Sequence, residues 1–243
     1  MLITRDLKKK YESSYLGYAW TILEPAMLIG IYYLVFKHIG KLRYDHYILF
    51  IATAMMPWLW FRNVVTGASN VITQNSRLVS TMNLPREMYP VALTLTEGAE
   101  YLLTLPLVWI IAAAYGIAPT HNLVFLPFAI LIELVLCFGV ALLMSALTTL
   151  FSDIERVISS FMRILFYLTP VIYPSGRIDN EWAHRFFVLD PLVGIFELNR
   201  KVFFGDIPVT AGMITTSIVG ALLFFIVGWA VFIRLERPML KEL

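Results

Sequence analysis

Six ionisable residues interrupt long apolar stretches of this chain: Glu24, Arg62, Glu97, Glu100, Glu133 and Arg163. In hydrocarbon such a charge costs about 2.5–3.5 kcal/mol on insertion scales, so each must face protein or water rather than lipid. Two chemistries suit them. They can form a polar lining or gate, or they can be ion pairs that hold helices together. Glu97 and Glu100 stand three residues apart, which puts both on one helical face. At 1.5 Å per residue, Glu24, Arg62, Glu97, Glu100 and Arg163 lie roughly 9–14 Å in from the inner ends of their stretches. The expected pairs are Arg62 with Glu97 or Glu100, and Arg163 with Glu24. Glu133 lies deeper, with no obvious partner.

Aromatic residues are the second candidate set. Tyr32, Tyr33, Trp58, Trp60, Phe166 and Tyr167 all lie in apolar stretches. Aromatic faces pack on the C–H-rich faces of sugar rings, and phenol or indole tips offer hydrogen bonds. The set is therefore a candidate channel lining for a saccharide, although such rings also serve as packing or lipid-facing groups.

Other chemistries lack their residues. A phosphate loop needs two glycines and a Gly-Lys pair, but the sole such pair, Gly40-Lys41, has Val35 where the first glycine belongs. There is no H-E-x-x-H, no G-x-S-x-G and no cysteine pair. His38, His46, His121 and His184 fall in loops or at stretch ends, so no metal, cofactor or catalytic group is expected in this chain.

The elements that must position these residues follow from composition. Of 243 residues, 59% are hydrophobic and only 15% charged, and the mean hydropathy is +0.74. That excludes an ordinary soluble domain, and the net charge of +2 gives no reason to expect a nucleic-acid partner. A helix needs about 20 apolar residues to cross a ~30 Å hydrocarbon core. Six stretches are expected to span: Tyr18–His38, Tyr47–Val71, Val91–Tyr115, Leu123–Leu150, Val157–Tyr173 and Ala211–Arg234. The expected fold is thus an all-α integral membrane protein, a single transmembrane domain over 1–243. Residues 1–17 read as an amphipathic helix in the headgroup region, with Arg5, Lys8, Lys9 and Lys10 against Leu7, Tyr11 and Leu16. The segment 175–209 holds apolar pieces too short to cross, which read as re-entrant or surface helices. More lysine and arginine falls on the side holding both termini, which favours cytoplasmic termini. On that side lies the loop 72–90, expected to form a short amphipathic helix ended by Pro85.

Three stretches resemble the membrane subunit of ABC exporters for polysaccharides, O-antigens and teichoic acids. The opening matches R-D-L-K followed by S-x-L-G-x-x-W-x-x-x-x-P at Arg5, Asp6, Leu7, Lys8, Ser14, Leu16, Gly17, Trp20 and Pro25. The inward loop is similar to N-x-x-L-V…F-P-R-E at Asn75, Leu78, Val79, Asn83, Leu84, Pro85, Arg86 and Glu87, with Leu84 where phenylalanine is frequent. The segment DPLVGIFELNR resembles N-P-L-x-x-x-I-E-x-x-R, with Asp190 in place of asparagine and Pro191, Leu192, Glu197 and Arg200 kept.

The resemblance implies a homodimeric permease of the bacterial inner membrane that moves a lipid-linked glycan outward. ATP and Mg would act in a separate ATPase subunit, two copies of which would dock on the inward loop. The coupling residues implied are Asn75, Arg77, Leu78, Asn83, Leu84, Pro85, Arg86 and Glu87. Arg5, Lys8, Lys9 and Lys10 would meet a diphosphate or lipid headgroup, at about 1 kcal/mol per charge near an anionic surface. A permease for drugs or lipids, a membrane-embedded transferase acting on lipid-linked sugars, and a membrane scaffold are the competing readings.

Overall fold

A computed structural model describes residues 16–35, 45–75, 85–118, 121–175, 187, 189–207 and 209–242. The proposed interface helix falls almost wholly outside the described residues, as do Arg5, Lys8, Lys9, Lys10, Arg77, Leu78, Asn83 and Leu84. Among the described residues the chain is helical throughout, in seven α-helices with short 3-10 turns and no strand. They are α1 (Trp20–Leu34), α2 (Tyr47–Ala68), α3 (Met88–Ala114), α4 (Phe125–Leu150), α5 (Asp153–Leu168), α6 (Pro191–Lys201) and α7 (Ala211–Glu242).

Four segments are long and apolar enough to cross a membrane: α2, α3, α4 with its preceding turn, and α7. Six spans were expected; α1, with 15 residues, and α5, with 16, are shorter. Sixteen residues rise only about 24 Å. The fifth stretch was expected to run to Tyr173, but Thr169 turns to extended backbone ahead of Pro170 and ends α5. The third begins earlier than expected, at Met88, with Pro90 in its first turn where a missing N–H costs no helical bond. Pro85 precedes that helix; the amphipathic helix expected ahead of Pro85 lies largely outside the described residues, and the described ends of the loop 72–90 hold the 3-10 turn Thr73–Asn75 and the start of α3.

Helix α2 is the central pillar. It packs against α1, α3, α4, α5 and α6, and 83% of its apolar window is buried against 17% for α7. A helix apolar on every side belongs inside other helices, and one with a wide lipid-facing side belongs at the edge. The broadest helix pair is α4 with α7. There the backbones touch: a Cβ on Gly228 would overlap the Gly139 carbonyl oxygen, and one on Gly139 would overlap the Phe225 backbone. Small residues drive such close packing in lipid, where the hydrophobic effect gives no preference for helix over chain tail. Cys137, two residues before Gly139 on α4, is fully buried.

Helix α6 begins with Asp190, whose side chain accepts from the Leu192 amide, and with Pro191 in its first turn. Its residues from Leu192 to Arg200 are all buried, so it is no surface helix. Helix α7 was expected to end near Arg234 but runs to Glu242. Its charged C-terminal end packs back on the bundle, with Phe232 and Met239 in one buried cluster with Ile72, Leu142 and Ala146.

Candidate functional site

Where α1, α2 and α3 meet, a cavity of about 120 Å³ is lined by Trp20, Thr21, Glu24, Arg62, Asn63, Glu97, Glu100, Tyr101 and neighbouring apolar residues. Four of the five residues expected to cluster thus share one wall, because Glu97 and Glu100 sit on the α3 face turned to α2. The pairing differs from expectation. Arg62 Nη2 lies 3.9 Å from Glu24 Oε1, with the two side chains 35% and 62% exposed. Arg62 reaches Glu97 only through Asn63. Its Nε and Nη2 donate to Asn63 Oδ1 at 3.3 and 3.0 Å, and Asn63 Nδ2 donates to Glu97 Oε2 at 3.0 Å. Asn63 escaped the sequence reading because it carries no charge; its place beside Arg62 in an apolar run was the available signal.

Arg163 is not in this cluster. It is exposed on α5 and donates to Ser160 Oγ at 3.2 Å. Ile158, Met162 and Phe166 form the buried stripe of α5, and Arg163, the neighbour of Met162 and about 100° around the helix from it, lies off that stripe. Glu133 is fully buried on α4, with neither carboxylate oxygen hydrogen-bonded.

The aromatic set divides. Trp58 and Phe166 are buried 5.4 Å apart, with Tyr32 5.3 Å and Tyr167 5.2 Å from Phe166. Trp60 is buried on the other side of α2. It stacks on Tyr101 at 5.2 Å and donates to the Thr94 carbonyl at 3.3 Å. Gly98 makes room for it, since a Cβ there would stand 2.9 Å from the indole. Trp58, Trp60 and Phe166, expected to line a channel, are buried in this chain, and Trp60 also stands in the wall of the cavity between α1, α2 and α3. Tyr32, Tyr33 and Tyr167 keep exposed or half-exposed rings.

A second polar centre lies at the opposite end of α2. Arg200 of α6 is fully buried, and its Nη1 donates to Glu197 Oε1 at 3.0 Å. Its Nη2 donates to the Pro170 and Val171 carbonyls, both at 2.8 Å. The guanidinium lies 3.8 Å over the Phe50 ring, and Ser175 Oγ donates to Glu197 Oε1 at 3.0 Å. Every group that could carry charge here has partners, as a buried pair requires. Beside it, burial pushes the Asp190 carboxyl above the usual aspartate range, an effect opposed by the Leu192 amide. The Glu-x-x-Arg spacing inside an apolar piece was the signal for this centre.

Near the C-terminal end of α7, Arg86 Nη1 donates to Glu236 Oε1 at 2.6 Å. Asn75 Nδ2 donates to the Val71 carbonyl at 2.7 Å. Pro85 is exposed and Glu87 half-buried. Among the described residues, no three of histidine, cysteine, aspartate and glutamate group closely enough to hold a metal ion.

Comparison with known proteins adds a family. The model for the ABC-2 type transporter family matches residues 1–204. The chain is 28% identical over 204 residues to the O-antigen export system permease protein RfbA of Myxococcus xanthus, covering 84% of this chain and 78% of that protein. Its similarity to RfbA of Klebsiella pneumoniae is 27% over 237 residues, or 97% and 91% of the two chains. Against the polysialic acid transport protein KpsM of Escherichia coli it is 23% identical over 210 residues, 82% and 78% of the two.

Proposed function

The chain belongs to the ABC-2 type transporter family, and from that premise we infer how its geometry serves as the transmembrane subunit of a polysaccharide exporter. Relatives named as O-antigen export permeases and polysialic acid transport proteins support this cargo class. The chain is a multi-pass membrane subunit, and the ATPase of such a transporter is a separate chain.

Two copies pair in the inner membrane of a bacterium, each with six spans, termini in the cytoplasm and α6 re-entering from outside. Two ATPase subunits, holding ATP and Mg, dock on the loops 72–90. The cargo is a glycan on a polyprenyl diphosphate. Arg5, Lys8, Lys9 and Lys10 meet the diphosphate at the inner surface, and the sugar chain passes along α1, α2 and α5.

One observation carries this path. Glu24 and Arg62 are partly exposed on helices that are otherwise apolar, and lipid is a costly neighbour for a charge. Water between two copies removes that cost. Tyr32, Tyr33 and Tyr167 keep exposed or half-exposed rings on α1 and α5 and would offer a sliding sugar chain weak, repeated contacts; a transported species must bind loosely enough to leave. Binding of ATP would draw the two inward loops together and shift the helices, provided each state has contacts the other lacks.

The test is purification of the chain with candidate ATPases, followed by hydrolysis assays in lipid. A stable complex whose ATPase rate responds to lipid-linked saccharide is expected. Stimulation by a drug-like or simple lipid substrate instead would redirect the reading to a small-cargo permease. Nucleotide hydrolysis by the chain alone would overturn it.

A further inference from the structure

Arg86 and Glu236 are 150 positions apart in the chain, yet their side chains meet at 2.6 Å, 23% and 38% exposed. The pair joins the end of the inward loop to the inner extension of α7. That extension is anchored: Met239 and Phe232 pack on Ile72, just past α2, and on Leu142 of α4. Charge-assisted bonds of this length are short and directional, so they add a defined geometry to the apolar anchoring.

From Glu236 the helix runs unbroken toward the outside. Its 32 residues rise about 48 Å, more than the hydrocarbon thickness. Midway, Gly228 lies against the Gly139 carbonyl with no side chain between, which locks α7 to α4. Nearer its outer end, a Cβ at Gly220 would come within 2.7 Å of Pro191 Cβ, and Gly194 of α6 lies against Ser217 and Met213 of α7. One helix therefore touches the inward loop at one end and the external helix α6 at the other, by tight contacts at both.

We propose that Glu236 is a positioning residue that holds Arg86, so that displacement of the inward loop is delivered along α7 to α6. The inference rests on the reading above that this loop docks the ATPase. Interfaces packed this closely switch between discrete arrangements rather than deforming gradually, so a rigid strut transmits a stroke without loss. Glu236 then governs how much ATP hydrolysis is converted into movement of cargo, not whether the ATPase binds.

The test uses the whole complex of chain and ATPase in lipid, with ATP consumed and glycan exported measured together. In E236Q the ATP hydrolysed per exported glycan rises about tenfold, within the usual range of coupling between sites. The ATPase still copurifies and the melting temperature holds. In E236D, which keeps the charge, the ratio stays within about threefold of wild type. An unchanged ratio in E236Q overturns the proposal. So does a fall in hydrolysis and export in equal proportion with a lowered melting temperature, because that is a purely structural role. If the unaltered chain recruits no ATPase, the exporter reading falls and the strut with it. If it recruits one and exports, and E236Q matches it, only the strut falls.

Discussion

Arg200 and Arg62 each face a glutamate inside the apolar body of the chain, but under opposite conditions. At Arg200 the pair is 3.0 Å apart with side chains 0% and 4% exposed. Two carbonyls, an aromatic ring and a serine hydroxyl complete the shell. At Arg62 the ions are 3.9 Å apart and open to the surface, and one asparagine carries the contact onward to Glu97. A charge pair sealed from water ties α6 to the loop after α5. An open pair binds its helices weakly and leaves both charges free to meet something else. Identical residue types thus form a sealed pair at one end of α2 and an open pair, on the proposed path, at the other.

Removing single partners breaks this contrast most sharply. Replacing Arg200 by Met strands Glu197 and two carbonyls, and costs about 3–5 kcal/mol by analogy with other broken buried pairs. Thermal melting in detergent measures it. A joint R200M/E197M exchange recovers part of the loss, since the orphaned carboxylate goes too. A melting temperature unchanged by R200M would mean that the pair is not sealed.

At the open site, R62M shifts stability by about 1 kcal/mol or less, the usual worth of a solvated pair. Export in the reconstituted complex falls all the same. A large loss of stability would move Arg62 into the structural class and leave the proposed path without its cation.

The smallest effect concerns Asp190. Its folded pKa lies above the ordinary value because of burial. The neutral form therefore contributes stability below the unfolded pKa of about 3.9. That contribution is lost as pH rises through the higher folded value. D190N keeps an acceptor for the Leu192 amide and has no proton to lose. Melting temperatures of wild type should decline across that acid window relative to D190N; parallel curves would remove the effect.

Much of the architecture was legible from apolar runs bounded by charge. The starts at Tyr47 and Ala211 and the end at Leu150 coincide with helix ends. Burial of Glu97 and Glu100 on one face followed from spacing alone. Partner choice did not, because which helix neighbours which is set by tertiary packing. Depth arguments placed Arg163 level with Glu24 but were silent on the direction of its face. The C-terminal extension of α7 was hidden for a similar reason: its charged residues look like a flank until Met239 and Ile72 are seen together. Ring type also did not tell buried positions from exposed ones, since the buried Trp58 and the exposed Trp229 read alike.

Cys137 has a practical consequence. It is the only thiol in the sequence and is completely enclosed on α4, where water-borne maleimides and methanethiosulfonates cannot reach the sulfur. The natural polypeptide is therefore a ready background for scanning accessibility. Cysteines introduced one at a time at positions 24, 32, 62, 163 and 167 can be labelled from either face of a sealed vesicle, with no native thiol to delete first.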